Sequence, residues 1–170
     1  MDSTFTHLFK VSEGISLEFS ILSRKAVVSD CLETLRELLQ GCLGNTELTL
    51  FMLSVDEVLQ NAYEHGNLEL SNTEKKNLLE QDLLDLELKK REDLFFKRRI
   101  SIKVEVKNEG LSLSVTDQGK GFDWRKSQAS TNDQTSLHGR GLSIIKAATD
   151  RVEFNEAGNS ITLIKSLHKK

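Results

Sequence analysis

Proline is absent from all 170 residues, which excludes a proline-rich linker or spacer. No apolar run approaches the roughly 18 residues that a membrane-spanning helix requires, and no basic-apolar-small leader opens the chain. The expectation is a cytoplasmic protein with no membrane partner. Cysteine is scarce: only Cys31 and Cys42, both on one predicted helix. Their spacing along a helix corresponds to about 16 Å, too far for a disulfide. Neither has a His or Cys neighbour at metal-ligand spacing, so both read as small buried thiols in a reducing compartment. An excess of positive charge is lacking too. Formal net charge is −3, which excludes a global basic field for direct nucleic-acid binding. The run Lys89-Lys90-Arg91-Glu92-Asp93 reads as a solvated helix face.

What is present is an ordinary globular balance, 38% hydrophobic and 29% charged, in a length suited to one domain spanning 1–170. Leu17, Phe19 and Ile21 alternate with polar residues and predict a half-buried strand. From Val28 to Cys42 apolar residues recur at three- and four-residue spacing, predicting an amphipathic helix. A second helix, capped by Asn45 or Thr46, carries the core stripe Leu48, Phe51, Met52, Val55, Leu59 and Ala62 and is expected to stop at Gly66. Ser71 and Glu74 have capping-box spacing and open a long charged helix over about 72–97.

Beyond it, Ile100 to Val106 and Leu111 to Thr116 alternate as two strands around Asn108-Glu109-Gly110. Residues 124–138 are polar without periodicity, 142–149 predict a short helix, and 152–167 a hairpin turning at Gly158-Asn159. Strands with one apolar face predict an α/β (α+β) two-layer sandwich: a largely antiparallel, mixed sheet with helices on one face. A parallel Rossmann sheet would need continuous apolar strands with crossover helices, and they are absent.

Three features carry chemistry. Glu57 and Asn61 lie one turn apart on a flank of the second helix, with Ser54 and His65 extending that polar line. A solvated flank would look the same; the functional reading is a carboxylate and an amide aimed into one cavity. An Asn oxygen suits a partly hydrated Mg²⁺, and a Glu can deprotonate an attacking hydroxyl. Second, Asp117 ends a strand on its helix-facing side within Asp117-Gln118-Gly119-Lys120-Gly121-Phe122. A tight turn would give the same letters, yet such a carboxylate needs a donor, and an adenine amino group is a suitable one. Third, His138-Gly139-Arg140-Gly141-Leu142 leads into a helix whose N-terminal N–H groups form a ready phosphate site, or simply a flexible start. No Walker A lysine motif occurs, so a P-loop is excluded.

In this order, the three motifs resemble the N, G1 and G2 boxes of the GHKL ATPases, the superfamily of DNA gyrase, sensor histidine kinases and MutL. The resemblance spans about residues 15–167 and implies a Bergerat-type ATP-binding fold using ATP and Mg²⁺. It implies Asn61 as the Mg²⁺ ligand, Glu57 as the base and Asp117 as the adenine contact. Gly119, Gly121 and Phe122 would shape the pocket, Gly139, Arg140, Gly141 and Leu142 would lie near the phosphates, and 124–138 would form an ATP lid.

The stretch Asp56 to Gly66 is similar to the N box of the RsbW/SpoIIAB-type anti-sigma-factor serine kinases. That implies a Ser/Thr kinase acting on a STAS-type anti-anti-sigma protein. Two departures stand out. The charged helix at 72–97 replaces a short connection and resembles a subgroup fused to response regulators or phosphatases, so such a protein or a sigma factor is an expected partner, with a homodimer as a further possibility. Where many superfamily members carry Gly-Thr before the last strand, this chain has Gly158-Asn159-Ser160. The alternative function is a non-catalytic module in which ATP orders a protein interface; a chaperone-like ATPase lacks its further domains.

Overall fold

The computed structural model describes residues 8–11, 14–107, 110–123, 125 and 137–167, with backbone only for 8–11, 137–140 and 142. In chain order the elements are β1 (Leu8–Val11), β2 (Gly14–Leu22), α1 (Lys25–Leu39), α2 (Asn45–Gln60), a π-helical turn (Asn61–Asn67), α3 (Asn72–Glu80) and α4 (Leu84–Leu94). Strands β3 (Arg99–Lys107) and β4 (Gly110–Thr116), helix α5 (Leu137–Ala148), and strands β5 (Arg151–Phe154) and β6 (Ser160–Ser166) follow.

The six strands form one sheet in the order β1-β2-β3-β4-β6-β5. All five described pairings are antiparallel, so no parallel pair makes the sheet mixed among the described residues. Alternation sorts its two faces. Ile100, Ile102 and Val104 of β3, Leu111, Leu113 and Val115 of β4, and Leu163 of β6 are buried beneath the helices. The other face is polar, with Ser114 bonded to Thr162 and Thr116 to Ser160 across β4 and β6. Leu35 and Leu39 of α1 and Phe51, Val55 and Leu59 of α2 complete the core at no measurable exposure. Each such side chain contributes on the order of 1.5–3 kcal/mol of hydrophobic stabilisation.

The structure departs from these expectations at several points. Strand β1 went unpredicted. Cys42 lies beyond the end of α1, while Cys31 is buried within it; both are free thiols. Burial pushes Cys31 up to about 12, and raises Cys42 as well. The single helix expected at 72–97 is two, because Asp82 takes a left-handed φ of 57° between them. Aspartate is one of the few non-glycine residues that tolerates that region. The short helix expected at 142–149 begins at Leu137, since glycines in a first turn cost propensity without breaking the helix. The 108–109 corner and almost all of the 124–138 loop lie outside the described residues. Among the described residues no helix is long and apolar enough to cross a membrane.

The 72–97 segment docks through a narrow apolar seam: Leu88 joins the core, and Leu78, Leu84 and Phe95 pack against it partly buried. Only Leu88 of α4 is buried, and Leu79, Leu83, Leu86, Leu94 and Phe96 are exposed. Charge strengthens that docking. Arg91 donates to the Leu68 and Glu69 carbonyls at 3.1 and 2.9 Å and pairs with Glu74 and Glu87. Glu92 accepts from Tyr63 Oη and from the Lys25 N–H that opens α1, both at 2.7 Å. Lys75 pairs with the buried Glu64. The run 89–93 is therefore not uniformly solvated: Arg91 and Glu92 turn inward onto the segment that follows α2. The Ser71–Glu74 capping box forms as its spacing predicts.

Candidate functional site

Helix α2 does not stop at Gly66. From Asn61 it widens into a π turn through Asn67, closed by the Leu68 N–H bonding Tyr63 O at 2.9 Å. A one-turn π segment re-aims side chains and is frequent at functional positions. Asn61 stands at its start, exposed, and its Nδ2 donates to Glu57 Oε1 at 3.0 Å. That bond turns the Asn61 carbonyl oxygen away from the carboxylate.

Glu57 meets the third motif directly. A Cβ added at Gly141 would lie 2.6 Å from Glu57 Cδ, so the glycine lets α5 approach that carboxylate in its present position. Glu57 thus meets both Asn61 and Gly141. The backbone places Gly139, Arg140 and Leu142 in the same first turns of α5; the side chains of Arg140 and Leu142 are outside the described part. The polar line proposed through Ser54 and His65 does not hold. Ser54 is fully buried, facing Leu50 O, and the His65 ring bonds the Leu70 carbonyl. Packing buries Ser54, and the widened turn carries His65 away from that flank.

The Asp117 motif closes against the far end of the π turn. Gly119 N–H donates to Asp117 Oδ1 at 2.8 Å. A Cβ on Gly66 would come 2.6 and 2.7 Å from the two carboxylate oxygens, and one on Gly119 would lie 2.7 Å from Gly66 C. Burial pushes the Asp117 carboxyl above its ordinary range; the Gly119 N–H, its own N–H and the charge of Arg98 oppose that rise. Gly121 and Gly158, at φ of 69° and 73°, pack the 117–122 loop onto the β5–β6 turn. Phe122 is half-exposed and meets Phe154 edge-on at 5.9 Å.

Sequence reasoning missed the residues that hold this arrangement. Asn67, fully buried, accepts from Gln118 N–H at 2.7 Å and donates to Ser23 Oγ and Arg99 O at 2.6 and 3.0 Å. Arg98 lies over the Phe95 ring at 4.2 Å and donates to Asn67 O and Glu69 Oε1, both at 2.7 Å. Asn159 accepts the Asp117 N–H through its carbonyl and returns Nδ2 to Asp117 O at 3.0 Å. The Gly66-Asn67 pair was the available signal: an amide beside a glycine at a helix end often caps it, and here it serves the next loop instead. Nothing in the sequence pattern marked Arg98. Among the described residues no group of three His, Cys, Asp or Glu is placed to hold a metal ion.

An antiparallel sheet covered on one face, a Glu/Asn helix flank against a glycine of a second helix, and a glycine-walled aspartate at a strand end together define an ATP-binding module of the GHKL type. The histidine kinase-like ATPase domain matches residues 23–165, most of the chain, and the chain belongs to that family. No curated protein matches it.

Proposed function

We propose that the protein is a Mg-ATP-dependent serine/threonine kinase of the anti-sigma-factor type, acting on a STAS-domain partner. The observation that carries this reading is the convergence of Glu57, Asn61 and Gly141: a carboxylate and an amide held against the glycine-rich start of a helix.

ATP fits the residues present. Asp117 offers an acceptor packed directly against Gly66, where a Cβ would strike the carboxylate, and the adenine 6-amino group is a matching donor. The first turn of α5 offers unpaired N–H groups to phosphate. Asn61 is an exposed neutral oxygen donor, and Mg²⁺ is commonly held by one or two protein oxygens, water and substrate phosphates. When bound, Mg²⁺ supplies charge neutralisation on those phosphates. The chain's own residues do the rest. Asn61 orients Glu57 through Oε1. As the partner's Ser or Thr oxygen bonds to the γ-phosphorus and ADP leaves, Glu57 takes the hydroxyl proton. Gly139, Arg140, Gly141 and Leu142 would line the phosphates, and Gly119, Gly121 and Phe122 the adenine side.

The resemblance of the 56–66 stretch to the anti-sigma kinases supports the STAS-type partner. The test is incubation with labelled ATP and each STAS-domain protein of the source organism. Wild type should label one of them, and Glu57→Gln should slow transfer by roughly 10²–10⁴-fold at unchanged ATP affinity. Tight partner binding with no transfer by wild type would replace the kinase with an ATP-dependent binding module.

A further inference from the structure

Asn67, Arg99 and Gln118 close a ring of three hydrogen bonds. The Gln118 N–H donates to Asn67 Oδ1 at 2.7 Å, Asn67 Nδ2 donates to Arg99 O at 3.0 Å, and Arg99 N–H donates to Gln118 Oε1 at 2.8 Å. The ring joins the end of the π turn, the start of β3 and the residue immediately after Asp117. Beyond the end of the β3–β4 pairing at Ser101 and Thr116, it supplies the partners of the Arg99 N–H and carbonyl and so carries the sheet's bonding on to the loop after Asp117. Its effect falls on the 117–119 turn. With Gln118 anchored at both its backbone nitrogen and its side chain, the turn cannot rotate about the Asp117–Gln118 peptide. Gly119 N–H stays on Asp117 Oδ1, and the carboxylate stays against Gly66.

We infer that Asn67 is a positioning residue that sets purine selectivity, by fixing which edge of the Asp117 carboxylate meets the base. The inference rests on the ATP-site reading above. A fixed carboxylate accepts from a 6-amino group and repels a 6-oxo group. A carboxylate free to turn loses much of that discrimination, because it can swing away from the oxygen or find another donor on the same base. A bond that merely held the core together would affect all nucleotides equally.

The test measures dissociation constants of wild type and variants for ATP, GTP and inorganic tripolyphosphate, alongside thermal melting. Asn67→Ala should weaken ATP binding about tenfold, narrow the ATP-to-GTP preference and leave tripolyphosphate unchanged. Since Asn67 is buried, that variant risks misfolding. Gln118→Ala, at an exposed position, removes one link of the ring and should move the preference in the same direction by a smaller factor. Ser23→Ala removes an Asn67 partner outside the ring and should lower the melting temperature without altering the preference. Equal losses for ATP and GTP, or an unchanged preference in Gln118→Ala, would overturn the positioning role. Wild type that binds tripolyphosphate but shows no ATP preference would overturn the adenine reading itself, and the inference with it.

Discussion

Gly66 and Asp117 compete for one volume: a Cβ at position 66 would sit 2.6 Å from Asp117 Oδ1 and 2.7 Å from Oδ2. The π turn that carries Gly66 therefore forms the wall against which the carboxylate rests. Gly66→Ala should push the Asp117 side chain aside, costing roughly 1–3 kcal/mol of stability by overpacking. ATP affinity should fall with it. Calorimetry on the folded variant showing wild-type ATP affinity would mean that the carboxylate's placement does not govern binding.

The raised pKa of Asp117 has a defined consequence for stability. The folded state binds its proton more readily than the unfolded state does, so this group favours folding below its ordinary value of 3.8 and loses that contribution as pH rises through the raised folded value. Asp117→Asn removes a partly buried charge at neutral pH. The free protein should melt at a higher temperature than wild type near pH 7, with the gain shrinking as pH falls toward 3.8. At the same time ATP affinity should drop by roughly 1–3 kcal/mol, because an acceptor becomes a mixed donor and acceptor. Melting curves from pH 3.5 to 8 check the sign; a gain that grows on acidification would reverse it.

Gly141 stands to Glu57 as Gly66 does to Asp117. A Cβ at 141 would lie 2.6 Å from Glu57 Cδ and drive the carboxylate out of its place beside Asn61. Gly141→Ala gains roughly 1 kcal/mol of helix propensity, so a purely local view predicts stabilisation. The packing predicts the opposite: lower melting temperature and loss of phosphoryl transfer together. Thermal melts of this single variant decide between the two.

The parts of this molecule legible in the sequence are those governed by periodicity. Ile100 through Val106 and Leu111 through Val115 alternate, and both became strands with the predicted face buried. Glu57 and Asn61 are one helical turn apart, and they do touch. What failed depended on tertiary contacts that leave no local pattern. Asp82 breaks a charged helix through a backbone angle that its side chain merely tolerates. The π turn shares its composition with an ordinary helix, and His65 was misplaced as a result; Ser54 was misplaced because its flank of α2 is buried. Asn67 and Arg98 are single polar residues whose partners lie 32–51 and 29–31 positions away, beyond any window of sequence reading.

The 72–97 segment yields the last prediction, through Arg91. Glu69 holds a left-handed φ of 52°, a conformation that costs an ordinary residue roughly 1–2 kcal/mol. Two arginines hold the chain there. Arg98 pairs with the Glu69 side chain, and Arg91 donates to the Leu68 and Glu69 carbonyls while also bridging Glu74 and Glu87. The apolar support is modest: Leu88 is buried, Leu78, Leu84 and Phe95 pack partly buried against the core, and Leu83, Leu86 and Leu94 are exposed. Arg91→Ala should therefore cost about 2 kcal/mol or more, since it strips charge-assisted bonds from two backbone carbonyls and two carboxylates. The loss should be local. Amide exchange should accelerate across α3, α4 and residues 61–70, while β3 and β4 keep their protection. Arg91→Lys retains the charge but not the forked geometry, and should recover only part of the loss. Uniform acceleration over the whole sheet would show instead that the segment is an integral part of the core rather than a polar clasp on the π turn.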